Sequence, residues 1–114
     1  MESTKIENEE VKGVSMKLLI GRDDKAPNFA MRHFTVECDG FTPKHKHPWE
    51  HEVLVLSGNG EVECNGEMSE IVGGDSLLIL SNELHQFRNN GNEPLEFLCI
   101  VPVDSDCGKQ VPGS

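Results

Sequence analysis

Three histidines, His45, His47 and His51, fall within seven residues in the stretch Gly40-Phe-Thr-Pro-Lys-His45-Lys-His47-Pro-Trp-Glu-His51-Glu52. Neutral imidazole is a ligand suited to Mn, Fe, Ni, Cu and Zn. On an extended chain, residues two apart face the same way. His45 and His47 therefore share a face, and His51 can rejoin them after the Pro48-Trp49 bend. The competing reading is a solvated polar loop, weakened because three of the chain's five histidines are bunched at even spacing. His85 is a fourth candidate, but spacing cannot tie it to the others, and alone it reads as a buried, hydrogen-bonded histidine. His33 matches no pattern and reads as an ordinary strand residue. No H-E-x-x-H pair, Ser-His-Asp pattern, P-loop or dinucleotide-binding fingerprint is present, which removes several large enzyme classes.

The elements that must position these histidines are short. Apolar or alternating runs recur between Gly, Pro, Asn and Asp, and they predict strands over 16–20, 29–37, 52–56, 61–64, 68–72, 76–80, 86–88 and 95–101. Many short strands at close spacing indicate an all-β fold, a single-domain barrel or jelly roll of two packed antiparallel sheets. Asn65-Gly66 supplies the two positive-φ residues of a type I′ hairpin. Gly58-Asn59-Gly60 and Asp39-Gly40 are expected to be further reversals. Helix is expected to be minimal. The barrel is assigned to residues 13–103, flanked by an N-terminal tail or exchanged edge strand (1–12) and a C-terminal tail (104–114).

With 114 residues there is room for one core. The formal charge of −10, from 20 acidic against 10 basic residues, repels phosphate backbones, so no nucleic-acid partner is expected. The longest apolar runs are four residues, far short of a membrane span. No apolar leader precedes the barrel, which points to the cytoplasm. Cys38, Cys64, Cys99 and Cys107 form no C-x-x-C pair and are read as free thiols.

Residues 40–58 resemble the first motif of the cupin superfamily, G-x(4–5)-H-x-H-x(3)-E-x(6)-G. Residues 74–89, Gly-Asp-Ser-Leu-Leu-Ile-Leu-Ser-Asn-Glu-Leu-His85-Gln-Phe-Arg-Asn, resemble the second, G-x(5)-P-x-G-x(2)-H-x(3)-N. In such proteins the two early histidines, the glutamate and the late histidine are metal ligands. Here His51 occupies the glutamate slot. Glu50 and Glu52 flank it, but a shift of one residue on a strand points a side chain to the opposite face, so neither is taken as a ligand. Leu80 replaces the motif's proline and Asn82 its glycine, and Asn tolerates the left-handed conformation that the glycine would adopt.

The chain is thus similar to small single-domain cupins whose metal is held by four histidines. His-x-His-Pro-Trp-Glu-His-Glu, Pro27-Asn28-Phe29 leading into Met31-Arg32, and Phe97-Leu98-Cys99 carry that likeness. The resemblance implies His45, His47, His51 and His85 as ligands of a divalent ion, manganese before Fe, Ni, Zn or Cu. It also implies a homodimer with exchanged N-terminal strands, and Arg32, Phe87, Phe97 and Cys99 around the pocket. Phe87 and Phe97 read equally well as core, Cys99 as a small buried hydrophobe, and Trp49 as packing at the barrel mouth or a dimer interface.

Four neutral imidazoles leave the full double charge on the cation, where a glutamate would cancel part of it. An octahedral ion then keeps two adjacent positions for water, O₂ or a chelating substrate. The expected function is a metal-dependent enzyme performing oxygenase or oxidoreductase chemistry, such as a dioxygenase, on a small chelating anion. The alternatives are a non-catalytic module binding metal or a small ligand, and a Lewis-acid isomerase, lyase or cyclase. No catalytic side chain beyond the ligands is assigned.

Overall fold

The computed structural model describes the backbone of residues 3–8 and all atoms of residues 11–104. It has nine strands: β1 (Ser3–Asn8), β2 (Val11–Ile20), β3 (Phe29–Phe41), β4 (His51–Ser57), β5 (Asn59–Cys64), β6 (Glu67–Val72), β7 (Ser76–Ile79), β8 (His85–Arg88) and β9 (Leu95–Pro102). All eight predicted strands are present. The helical content of the described residues is one short 3₁₀ turn, Arg22–Asp24. No helix among them is long and apolar enough to cross a membrane.

The strands form one curled antiparallel sheet. One flank runs β1-β2-β3-β9-β4-β7 and the other β6-β5-β8, joined where Phe41 of β3 pairs with Arg88 of β8. Alternation decides which face is inside. Along β9, Leu95, Phe97, Cys99 and Val101 are buried while the residues between them are half-buried. Along β3, Ala30, Arg32, Phe34 and Val36 are buried in the same rhythm. Phe97 lies at the centre, stacked on Phe87 at 4.4 Å and on Phe34 at 5.2 Å between ring centroids.

The turns follow backbone chemistry. Asn65 and Gly66 both have positive φ, 50° and 88°, as a type I′ hairpin between β5 and β6 requires. Asp39-Gly40, expected to reverse the chain, does not. The strand continues through it as a bulge, with Val14 opposite Val36 but Lys12 opposite Phe41. Asp39 takes the left-handed conformation at φ 64°. A Cβ on Gly40 would lie 2.6 Å from the Lys12 carbonyl oxygen and 2.8 Å from that of Glu37. Glycine is needed here because another backbone passes so close, not because the chain turns back. Cys38, Cys64 and Cys99 are free thiols, while Cys107 and the rest of residues 105–114 lie outside the described residues.

The outer face of one flank is apolar too. Leu54 and Leu56 on β4, Leu78 on β7 and Leu80 just beyond it, Ile20 on β2 and Phe29 on β3 are all exposed. Leu98 and Ile100 of β9 lie half-buried among them.

Candidate metal centre

The histidines are brought together by strand pairing that bridges forty residues of chain. The segment after β3 runs antiparallel to β8, where the Thr42 N–H donates to the Phe87 carbonyl at 2.9 Å. Three residues on, His45 N–H donates to the His85 carbonyl at 3.0 Å and His85 N–H to the His45 carbonyl at 2.8 Å. Residues that exchange both hydrogen bonds across antiparallel chains stand directly opposite, with side chains on the same face. His45 is therefore seated beside His85. His51, the first residue of β4, pairs with Ile79 of β7 and enters from the opposite flank. His47 lies in the loop between them.

Ligand-capable atoms of His47, His51 and His85 all lie within 4.8 Å of one another. The ring centroids are 4.9 Å apart for His51 and His85, 5.3 Å for His47 and His51, and 5.8 Å for His47 and His85. His45 falls outside this set of three, although its ring centroid is 5.5 Å from that of His47. His33 is elsewhere, hydrogen-bonded to Glu96 at 2.9 Å. Glu52 is exposed, on the face of β4 opposite His51.

Each of two rings has its far nitrogen held. His85 Nδ1 lies 3.0 Å from the Glu83 carbonyl oxygen, which can only accept, so Nδ1 carries a hydrogen and Nε2 is the nitrogen that would offer a lone pair to a cation. His51 Nδ1 lies 3.2 Å from Cys99 Sγ. His51 Nε2 is buried and has no hydrogen-bond partner among the described residues. A buried nitrogen left unbonded costs about 1–3 kcal/mol. Coordination to a cation removes that cost, and three neutral nitrogens converging at this spacing fit a divalent transition metal. Trp49 lies flat on His47, ring centroids 4.7 Å apart and planes 4° from parallel, which braces this loop histidine.

His51 is kept neutral. Burial, then the positive charge that His85, Arg32 and His47 add, pushes its pKa from 6.5 to about 2. In the unfolded chain the ring takes up a proton below about pH 6.5, so between there and the folded value protons favour unfolding. The metal-free protein should therefore keep this contribution in full above pH 6.5 and lose it as pH falls. Between about pH 6 and 5 the slope from this one group approaches 1.4 kcal/mol per unit. Denaturant melts of metal-free protein across that range check it, with His51→Gln removing this share of the pH dependence.

The four pocket candidates are all buried. Phe87 and Phe97 belong to the core stack, and Phe87 also meets the His85 ring edge-on at 6.5 Å. Arg32 is 0% exposed, donates from NH2 to Cys99 Sγ at 3.1 Å, and lies 5.0 Å from the Phe34 ring centroid. No carboxylate pairs with it among the described residues. Cys99 sits behind His51, on the Nδ1 side. That contact has no sequence signal, because it depends on β9 lying beside β4 with Cys99 opposite Val53.

Comparison with known proteins agrees with this architecture. A family profile described as Cupin domain matches residues 32–101. The chain is 32% identical over 76 residues to 1-methylthio-D-xylulose 5-phosphate methylsulfurylase of Rhodospirillum rubrum, covering 67% of this chain and 49% of that protein. It is 40% identical over 58 residues to the oxalate-binding protein of Thermotoga maritima, covering 50% of this chain and 48% of that one. The chain thus spans about half the length of these curated relatives. The structure of the polyketide cyclase RemF from Streptomyces resistomycificus superposes with a TM-score of 0.83 at 28% identity, over 90% of this chain and 74% of that chain. A match over most of the barrel, carried by strands that bring three histidines to one point, makes this chain a member of the cupin domain family.

Proposed function

We propose that the protein is a metal-dependent enzyme acting on a small chelating anion, its cation held by His45, His47, His51 and His85. The observation that carries this reading is the convergence of His47, His51 and His85 nitrogens within 4.8 Å, with His51 Nε2 buried and unbonded. His45 is included because its strand pairing seats it beside His85. Manganese is the proposed ion on the strength of the resemblance, since imidazole donors alone favour later transition metals.

The charge of the site selects the ligand. When bound, a divalent cation supplies Lewis acidity and positions for chelation or oxygen. The four neutral histidines cancel none of its charge, and Arg32 adds a buried positive charge close enough to act on His51. Buried charge without compensation is costly, so a chelating anion is favoured over a neutral molecule. Phe87 and Phe97 exclude water from beneath the site, and Trp49 orients His47. The first reaction class is oxygen-dependent oxidation of an enediol, catechol or keto acid. Elemental analysis should find metal in the purified protein, and oxygen uptake on such a panel should disappear in His51→Ala. Protein devoid of metal after purification and after titration with divalent ions would defeat the reading.

A second class, Lewis-acid cyclisation or isomerisation without redox change, is favoured by the absence of a carboxylate from the donor set. Such a set disfavours the trivalent metal that oxidation chemistry draws on. The likeness to a polyketide cyclase points the same way. Substrate turnover without oxygen uptake would select it, and tight binding without turnover would indicate a ligand-binding module.

A homodimer belongs to this reading. Antiparallel strands with one solvated face alternate apolar and polar, yet β4, β7 and β9 carry Leu54, Leu56, Leu78, Leu98 and Ile100 on the outer face as well. On the outside, Leu54 pairs with Leu98, and Met31 pairs with Ile100, which pairs with Glu52, itself opposite Leu78. A second copy laid on this face would bury these exposed apolar side chains together. Light scattering should give twice the chain mass, and Leu54→Glu with Leu78→Glu should halve it.

A further inference from the structure

The metal reading leaves the buried Cys99 thiol unused, and its surroundings give it a task. Cys99 is 3% exposed and is opposite Arg32 across the β3–β9 pair and opposite Val53 across the β9–β4 pair. His51 lies two residues from Val53, on the diagonal that long side chains span within one face. The sulfur consequently meets His51 Nδ1 at 3.2 Å and Arg32 NH2 at 3.1 Å. A guanidinium can only donate, so in that contact the sulfur accepts and is held at a fixed point. The His51 ring then has two tautomers to choose from. With the hydrogen on Nδ1 it donates to sulfur and Nε2 offers a lone pair. With the hydrogen on Nε2 it cannot ligate.

We infer that Cys99 is a positioning residue, whose Arg32-held sulfur accepts the His51 Nδ1 hydrogen and so directs the His51 Nε2 lone pair toward His47 and His85. This rests on the proposed metal reading and deepens it. The comparison inside the site is His85, whose Nδ1 is held by the Glu83 carbonyl, a main-chain acceptor that no substitution removes. His51 Nδ1 instead faces a side chain. Side chains that orient metal-binding histidines typically contribute 10–100-fold in metal affinity. Sulfur is a weak acceptor, and the buried Arg32 beside it is what keeps the geometry single.

Two measurements test this, on the full chain. In metal-free protein, long-range ¹H–¹⁵N correlation of the histidine rings should show His51 as the Nδ1–H tautomer. Cys99→Val, close in volume but without an acceptor, should release it to a mixture. Calorimetric titration with Mn²⁺ should then show Cys99→Val binding about 10–100-fold more weakly than the parent, with Cys99→Ser recovering most of the loss. A His51 ring protonated on Nε2 in the parent would overturn the assignment, as would a valine variant with unaltered Mn²⁺ affinity. A parent that takes up neither Mn²⁺ nor a later divalent ion such as Zn²⁺ would instead defeat the metal reading, and the tautomer measurement would still decide the role of Cys99.

Discussion

Replacing His51 with alanine is expected to weaken divalent-metal binding by at least about a hundredfold, the upper end of what loss of a mere supporting contact does. His51 is 2% exposed, enters from the flank opposite His45 and His85, and offers a buried nitrogen, Nε2, that has no hydrogen-bond partner among the described residues. Its removal opens the cation to one side and leaves a void that no neighbouring carboxylate can fill. Glu52 follows directly but faces outward. The same loss should appear in stability. A ligand at a hundred times its Kd stabilises the folded state by about 2.7 kcal/mol, which for a domain of this size raises Tm by roughly 10 °C. Chelator should lower the melting temperature of the parent by about that much and leave His51→Ala where it was. Equal chelator sensitivity in the two proteins would place the metal elsewhere.

The largest effect on folding is expected at Phe97. Its ring is 2% exposed and lies in the stack Phe34–Phe97–Phe87, so it contacts side chains from β3 and β8 at once. Phe97→Ala removes the transfer energy of the ring and leaves a cavity whose walls are held apart by the two flanks of the sheet, at a cost of about 3–5 kcal/mol. That is a large share of the roughly 5–15 kcal/mol by which such domains are stable. Urea melts of metal-free protein should show it, and Phe97→Leu should recover more than half. A loss below about 1 kcal/mol would mean that the barrel collapses around the vacancy far more readily than its packing implies.

Much of this was written into local chain chemistry. Alternating burial along β3 and β9, and the positive-φ pair Asn65-Gly66, follow from rules that act within a few residues, so strands and hairpins could be placed in advance. The bunching of His45, His47 and His51 is local too, and with the motif around His85 it located the site. Asp39-Gly40 misled because the same residues serve a reversal and a bulge. Only the passing backbone of Lys12 distinguishes the two.

What remained to the tertiary structure is every relation between a residue and its cross-strand neighbour. Periodicity tells which face a side chain takes but not which strand lies alongside or in what register, since distant pairings are chosen by the packing of the whole sheet. The seating of His45 against His85 came from that choice, as did the Cys99 sulfur behind His51 and an Arg32 buried with no carboxylate beside it among the described residues. Composition and local spacing determined a small acidic β-protein with a histidine cluster. The order of β3, β9 and β4 decided what holds the histidines, because side chains up to 67 residues apart meet only when those three strands lie together.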